Sequence, residues 1–150
     1  MFDVWSQVLA AVPRSRLVLK WRSLADEPLC DSIRAAFADK GIDPSRIELR
    51  TASFHVDVLQ QYADIDIALD PFPFTGGLTS CEALWMGVPV ITCPQGRVVS
   101  RQTFAFLSAI GLPELAAKDA AGYVHIAKTL AAEPSRLAQL RSSLRNTLLV

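Results

Sequence analysis

Short apolar runs alternate along the chain with longer stretches in which apolar residues recur every three or four positions. The short runs are typical of buried strands, and the longer stretches are typical of amphipathic helices. Strands are predicted at residues 17–21, 47–50, 66–70 and 88–93. Helices are predicted at residues 4–12, 26–40, 56–63, 79–86, 102–110, 120–132 and 134–149.

Strands that alternate with helices at these lengths predict an α/β fold, in which a Rossmann-like parallel sheet is flanked by helices through right-handed crossovers. The 150 residues, of which 51% are hydrophobic and 20% charged, suffice for one domain over residues 1–150. In such sheets ligands bind beyond the carboxyl ends of the strands. The loops 50–55 and 71–78 both follow predicted strand ends, so they are expected to line one crevice.

Fifteen acidic and fifteen basic side chains balance each other, so bulk charge attracts neither nucleic acid nor an anionic membrane. Any anion must therefore be bound locally. Cys30, Cys81 and Cys93 are odd in number and lie in apolar stretches, which predicts reduced thiols rather than disulfides. No zinc-binding spacing, signal peptide or membrane span is recognisable in the sequence, and we expect a cytoplasmic location.

The most informative segment is DPFPFTGGLTSCEALWMGVPVIT, residues 70–92. A strand ends here in a loop with Gly76 and Gly77, where backbone amides can approach a ligand closely because no Cβ intervenes. A helix is predicted to begin near Thr79, and its free N–H groups and dipole suit phosphate. Glu82 lies one turn further and can accept hydrogen bonds from sugar hydroxyls. The segment therefore predicts a site for a nucleotide diphosphate.

A purely structural alternative fits the same segment. The glycine pair can form a tight strand-to-helix turn, with Thr79 or Ser80 as the N-cap residue and Glu82 as the acidic residue of a capping box. Asp70, at the strand end, is expected to cap the glycine loop rather than to act as an acid or base.

Residues 62–94, YADIDIALDPFPFTGGLTSCEALWMGVPVITCP, and residues 98–117, VVSRQTFAFLSAIGLPELAA, resemble a known enzyme family. They are similar to the C-terminal half of the catalytic region of O-linked N-acetylglucosamine transferases, especially bacterial members that carry tetratricopeptide repeats. The resemblance implies a GT-B glycosyltransferase with two Rossmann-like halves, of which the C-terminal one holds the nucleotide sugar. It further implies that N-acetylglucosamine is transferred from UDP to protein serine or threonine, and that no metal or other cofactor is needed.

Position by position, the resemblance implies a role for nine residues. Glu82 matches the acidic residue that binds the uridine ribose, and Thr79 falls where the family holds the diphosphate. The residues that surround Thr79 in this turn are Gly76, Gly77, Leu78 and Ser80. Ala52 and Ser53 fall in the loop whose backbone contacts the uracil edge, and His55 falls where the family can have a lysine.

The chain also departs from the family pattern. Val58 stands where the family commonly has a histidine against the uracil, and Gly77 and Leu78 stand where it has histidine and threonine at the diphosphate. These changes favour an alternative function, a non-catalytic nucleotide-sugar-binding or scaffold domain. An unrelated flavodoxin-like or receiver-like module is disfavoured, because no cluster of acidic residues near the start of the chain could form a metal pocket with Asp70.

By the same resemblance, the chain opens within the first crossover helix, so the family's first strand of this half and the whole N-terminal half are missing. With them go the proposed general base and most of the acceptor groove. No catalytic residue is therefore assigned here, and the isolated chain is expected to be inactive. The strand edges beside residues 17–21 and 66–70 are expected to be uncovered and to pair with another chain.

Overall fold

The computed structural model describes residues 1–149, which divide into two compact units, residues 1–55 and the chain from residue 56 onward. Each unit alternates helices with short parallel strands, which confirms the predicted α/β class. A single domain over the whole chain stays a prediction.

The first unit contains two helices and two strands. They are α1 (Phe2–Ala11), β1 (Leu17–Lys20), α2 (Glu27–Ala38) and β2 (Ile47–Arg50), with 3₁₀ turns at Arg22–Ala25 and Pro44–Arg46. The two strands are parallel, with Leu17 opposite Ile47 and Lys20 opposite Arg50. Both predicted strands are confirmed, although β1 stops before Trp21. The side chain of Trp21 is 68% exposed, so its predicted inclusion in a buried strand is wrong.

Arg46 ties the end of α1 to the start of β2. Its guanidinium donates hydrogen bonds to the carbonyl oxygens of Leu9 (2.8 Å), Val12 (3.0 Å) and Ser15 (2.8 Å). The last carbonyls of a helix have no partner within the helix, and a cationic side chain there also complements the helix dipole. The core of this unit consists of Val8, Leu9, Leu17, Cys30, Phe37, Ile42 and Ile47.

The second unit carries the remaining elements. They are α3 (His55–Gln61, whose first residue is the last of the first unit), β3 (Ala68–Leu69), α4 (Leu78–Trp85), β4 (Val90–Ile91), α5 (Gln102–Ala109), α6 (Ala120–Ala131) and α7 (Pro134–Thr147). Short 3₁₀ turns lie at Tyr62–Asp64, Val98–Ser100 and Pro113–Leu115. Within the described part of the chain, no helix has both the length and the apolar character needed to cross a membrane.

The strands of the second unit are shorter than predicted. Ala68 lies opposite Val90 and Leu69 opposite Ile91, in a parallel pair. Pro89 has no amide hydrogen to donate, so the ladder begins only at the next residue. Thr92 pairs instead with Ala116, through a parallel bridge. The predictions of strands over 66–70 and 88–93 were therefore too long at both ends.

Among the described residues, β1 is paired with β2 and β3 with β4, in two separate two-stranded sheets. Self-association through uncovered strand edges stays a prediction. The thiols of Cys30, Cys81 and Cys93 are free, as predicted, and burial raises the pKa of Cys93 and of Cys81.

Gly87 lies where α4 turns back toward β4 and where α7 packs closest. Its φ is +80°, and a Cβ at this position would lie 2.5 Å from the carbonyl oxygen of Arg141, a backbone atom of α7. Neither the backbone conformation nor the space accepts a side chain. The core of this unit includes Leu84, Val88, Ile91, Leu107, Tyr123, Leu130, Leu140 and Leu144.

Gly87→Ala is expected to lower the free energy of unfolding by about 3 kcal/mol, since left-handed strain and a backbone clash add together. Gly111, with a φ of +75° and no atom within 4 Å of a Cβ, is the matched control for strain alone. Gly111→Ala is expected to cost about 1 kcal/mol, and Gly96→Ala, at an open position, close to nothing. Urea denaturation of the three variants checks this order. Equal losses for Gly87→Ala and Gly111→Ala would contradict the close contact with α7.

Candidate functional site

The loop after β3 leads directly into the first turn of α4. The helix begins at Leu78, with Gly77 as its N-cap residue and no side-chain hydrogen bond at the cap. The hydroxyl of Ser80 lies 2.8 Å from that of Thr103. The capping-box alternative, with Thr79 or Ser80 as the N-cap residue, is therefore wrong, and the helix starts one residue earlier than predicted.

The loop is too tight for a side chain at Gly76. A Cβ there would lie 2.5 Å from the Ser80 hydroxyl oxygen and 2.8 Å from that of Thr79. At Gly77 a Cβ would lie 2.9 Å from the side-chain oxygen of Gln102. Gly76 thus allows the loop backbone to pack directly against the start of α4, and Gly77 allows it to pack against Gln102, the first residue of α5.

Four consecutive backbone amides at this turn are not used in hydrogen bonds within the described chain. Within residues 1–149, the N–H groups of Gly77, Leu78, Thr79 and Ser80 have no hydrogen-bond acceptor. Leu78 and Thr79 are exposed. The first N–H groups of a helix and its positive dipole end attract anions, so this turn can hold a phosphate or diphosphate group.

Glu82 lies one turn into α4 and is half-buried. Close by, the hydroxyl of Tyr62 donates a hydrogen bond to the carbonyl oxygen of Thr79 (3.3 Å). Burial and, to a lesser extent, the negative charge of Glu82 raise the pKa of Tyr62. The carboxylate and the phenol thus lie near each other beside the amide turn. Sequence reasoning assigned no chemical role to Tyr62, because no local pattern marks this residue of a 3₁₀ turn before β3.

Asp70 caps the loop, as expected from the sequence. The carboxylate is only 4% exposed, and one oxygen accepts the amide of Gly76 (2.7 Å) while the other accepts the hydroxyl of Thr92 (2.7 Å). Burial raises the pKa of Asp70, and these hydrogen bonds oppose the shift. With both oxygens engaged below the surface, Asp70 is placed to hold the loop.

Further contacts to this loop come from distant residues that the sequence analysis missed. The hydroxyl of Tyr123 donates to the carbonyl of Asp70 (3.0 Å), and that of Thr103 donates to the carbonyl of Gly76 (3.1 Å). Thr75 is fully buried and its hydroxyl donates to the carbonyl of Val99 (2.9 Å). These partners follow the loop by up to 53 positions, and no local pattern marks them.

The predicted site residues fall into two groups. Residues 76–80 and Glu82 form one continuous turn in the second unit, while Ala52, Ser53 and His55 follow β2 in the first unit and are exposed. Val58 is half-buried on α3. Arg101 is exposed, and its guanidinium lies 5.7 Å from the ring centre of Phe104. Within the described residues, no three potential His, Cys, Asp or Glu ligands cluster as a metal site.

Comparison with known proteins places this geometry in a family. The rice (Oryza sativa subsp. japonica) protein named "Probable UDP-N-acetylglucosamine--peptide N-acetylglucosaminyltransferase SPINDLY" is 39% identical over 150 residues, which cover 97% of this chain and 16% of the relative. A UDP-N-acetylglucosamine--peptide N-acetylglucosaminyltransferase of Caenorhabditis elegans is 33% identical over 141 residues, covering 93% of this chain and 12% of the relative.

A mutant O-GlcNAc transferase from Thermobaculum terrenum has a similar solved structure. The TM-score is 0.95 at 39% sequence identity, over 98% of this chain and 28% of that one. The chain thus spans about one sixth of the length of the rice relative. The sequence pattern of glycosyl transferase family 41 matches residues 1–148, and this chain belongs to that family.

Proposed function

We propose that this chain is the UDP-sugar-binding half of a glycosyltransferase that transfers N-acetylglucosamine to serine or threonine of a protein. The observation that carries the proposal is the row of four unpartnered amides at residues 77–80, with Glu82 one turn further, in a chain of glycosyl transferase family 41. The two relatives are named UDP-N-acetylglucosamine--peptide N-acetylglucosaminyltransferases, which supports this donor and a peptide as the acceptor.

In this proposal the diphosphate lies against the amides of Gly77, Leu78, Thr79 and Ser80. Thr79 is exposed and adds a hydroxyl, whereas the Ser80 hydroxyl is already engaged with Thr103, so Ser80 contributes its amide. Hydrogen bonds to a charged acceptor are stronger than those to a neutral one. The site therefore obtains its affinity for the anion mainly from the backbone.

The nucleoside is recognised next to the diphosphate. We assign the ribose hydroxyls to Glu82, whose carboxylate can accept two hydrogen bonds from neighbouring hydroxyls. Ala52, Ser53 and His55 keep the roles that the resemblance implies for them, which are contacts with the uracil edge and with the nucleotide. No metal is needed in this scheme, because the amides and the helix dipole neutralise the charge.

During transfer, the bond between the sugar and the diphosphate breaks, and negative charge grows on the leaving phosphate. Donors that are already oriented toward that oxygen stabilise the transition state without rearrangement, which is the role we give to the first turn of α4. The acceptor hydroxyl must also be positioned for in-line attack and lose its proton. We assign both tasks to the other half of the GT-B fold, so the isolated chain binds the donor without turnover.

A second candidate is a non-catalytic nucleotide-sugar-binding or scaffold domain. It is favoured by Leu78, an apolar side chain that is 74% exposed at the proposed diphosphate. The two candidates differ in turnover. UDP-N-acetylglucosamine and an acceptor peptide, incubated with this chain joined to the N-terminal half of a family member, should give a glycosylated peptide only if the first candidate is right.

Replacing Glu82 tests the ribose assignment. Glu82→Ala is expected to weaken UDP binding by about tenfold or more, because a charged acceptor contributes about 1.5–3 kcal/mol. Binding of pyrophosphate, which has no ribose, should remain unchanged. Isothermal titration of both ligands, with EDTA present, measures the effect and tests the absence of a metal requirement.

The matched control is Glu114→Gln, which removes an exposed carboxylate that pairs with Arg136 at 2.9 Å. This variant should bind both ligands like the wild type. The ribose assignment is wrong if Glu82→Ala weakens the binding of pyrophosphate as much as the binding of UDP. The proposed function is wrong if the wild-type chain binds no UDP at all.

Leu78→Thr is expected to raise the affinity for UDP by about threefold to tenfold, because a hydroxyl at this exposed position adds a donor to the phosphate. The control is Leu29→Thr, which makes the same change at a surface-exposed leucine in the first turn of α2. Titration with UDP distinguishes the two variants. An unchanged or lower affinity in Leu78→Thr would place the diphosphate elsewhere.

A further inference from the structure

A buried polar cluster lies beneath the glycine loop. It consists of Asp70, Ser80, Thr92 and Thr103, each no more than 4% exposed. None of these side chains is available at the surface, and their polar atoms are bonded to one another or to the loop backbone. We call these four residues the loop anchor.

The loop anchor holds both polar backbone groups of Gly76. Asp70 accepts its amide at 2.7 Å, and Thr103 donates to its carbonyl oxygen at 3.1 Å. The hydroxyl oxygens of Ser80 and Thr103 lie 2.8 Å apart, and either hydroxyl can donate this hydrogen bond. The remaining oxygen of Asp70 accepts from Thr92 at 2.7 Å. The side chains of the cluster therefore engage both the amide and the carbonyl oxygen of Gly76.

The consequence lies in the residues that follow. With the amide and the carbonyl of Gly76 both bonded to the anchor, the unpartnered amides in the described chain begin at the next residue and run through Ser80. Ser80 belongs to both features: its side chain is part of the loop anchor, and its backbone amide is the last one in the unpartnered row. The loop anchor therefore determines which amides donate hydrogen bonds within the protein and which remain able to bind a ligand.

We propose that the loop anchor is a set of positioning residues that holds the amides of residues 77–80 in the geometry that a diphosphate requires. This inference rests on the proposed function and adds to it residues that touch no ligand. Donors held in place before binding cost less ordering free energy when the anion arrives, and misplacement by about 1 Å at a reacting group can cost about a hundredfold.

The test compares UDP with uridine, which lacks phosphates. Thr103→Val removes the hydroxyl that holds Gly76 and Ser80, and Asp70→Ala removes the acceptor for the Gly76 amide. Each is expected to lower UDP affinity by about tenfold while uridine affinity stays within about twofold. Thr103→Ser keeps the hydroxyl and should restore UDP binding.

Two controls separate positioning from loss of stability. Leu140→Ala removes a core side chain of α7 and should lower the melting temperature without changing the ratio of UDP to uridine affinity. Hydrogen exchange of the Gly76 amide, which is bonded to Asp70, should accelerate in Thr103→Val more than in Leu140→Ala when it is measured without any ligand. If Asp70→Ala does not fold, Thr103→Val decides the question.

The inference is overturned if Thr103→Val, folded at the assay temperature, retains the wild-type ratio of affinities or shows no faster exchange at the loop. A wild-type protein that binds neither UDP nor pyrophosphate overturns the proposed function, and the positioning role for a diphosphate with it. Faster exchange with an unchanged affinity ratio overturns the inference alone.

Discussion

A buried carboxylate must accept hydrogen bonds from nearby donors, and the loop of the candidate site is arranged so that Asp70 receives them. Asp70 directly follows β3, and its donors come from the loop at Gly76 and from Thr92 just past β4. Thr92 in turn pairs with Ala116, so one buried group joins three stretches of backbone. This one arrangement sets the tight path of the loop and the close approach of Gly76 to α4. It also leaves the amides of the residues that follow Gly76 without an acceptor in the described chain.

A binding site made of backbone amides can survive side-chain replacements, whereas a site made of side chains cannot. The family pattern, as inferred from the resemblance, has histidine and threonine where this chain has Gly77 and Leu78, yet the amides of both residues are still present at the turn. Loss of those side chains removes donors without closing the site. The chain as a whole carries no net charge, so local dipoles rather than a long-range field must attract an anion.

Hydrophobic periodicity predicts the helices to within two residues at either end, as at α4 and α6, because a helix is decided by neighbours along the chain. Strand ends are less predictable. Pro89 accepts the amide of Ala68 but has no amide of its own to donate, and Thr92 forms a bridge with Ala116, which lies far along the sequence. The glycines, Thr79 and Glu82 could be found from local pattern, whereas Tyr62, Thr103 and Tyr123 could not, since their contacts to the loop exist only after folding.

The last helix of the second unit contacts the segments that lead into β3 and β4. The guanidinium of Arg141 donates to the carbonyl of Ile65, shortly before β3, and its backbone lies against Gly87, shortly before β4. A polypeptide emerging from the ribosome has produced every residue of the glycine loop long before it produces this helix. The second unit can complete its packing only after synthesis reaches Arg141, so the loop acquires its final surroundings only after α7 has been made.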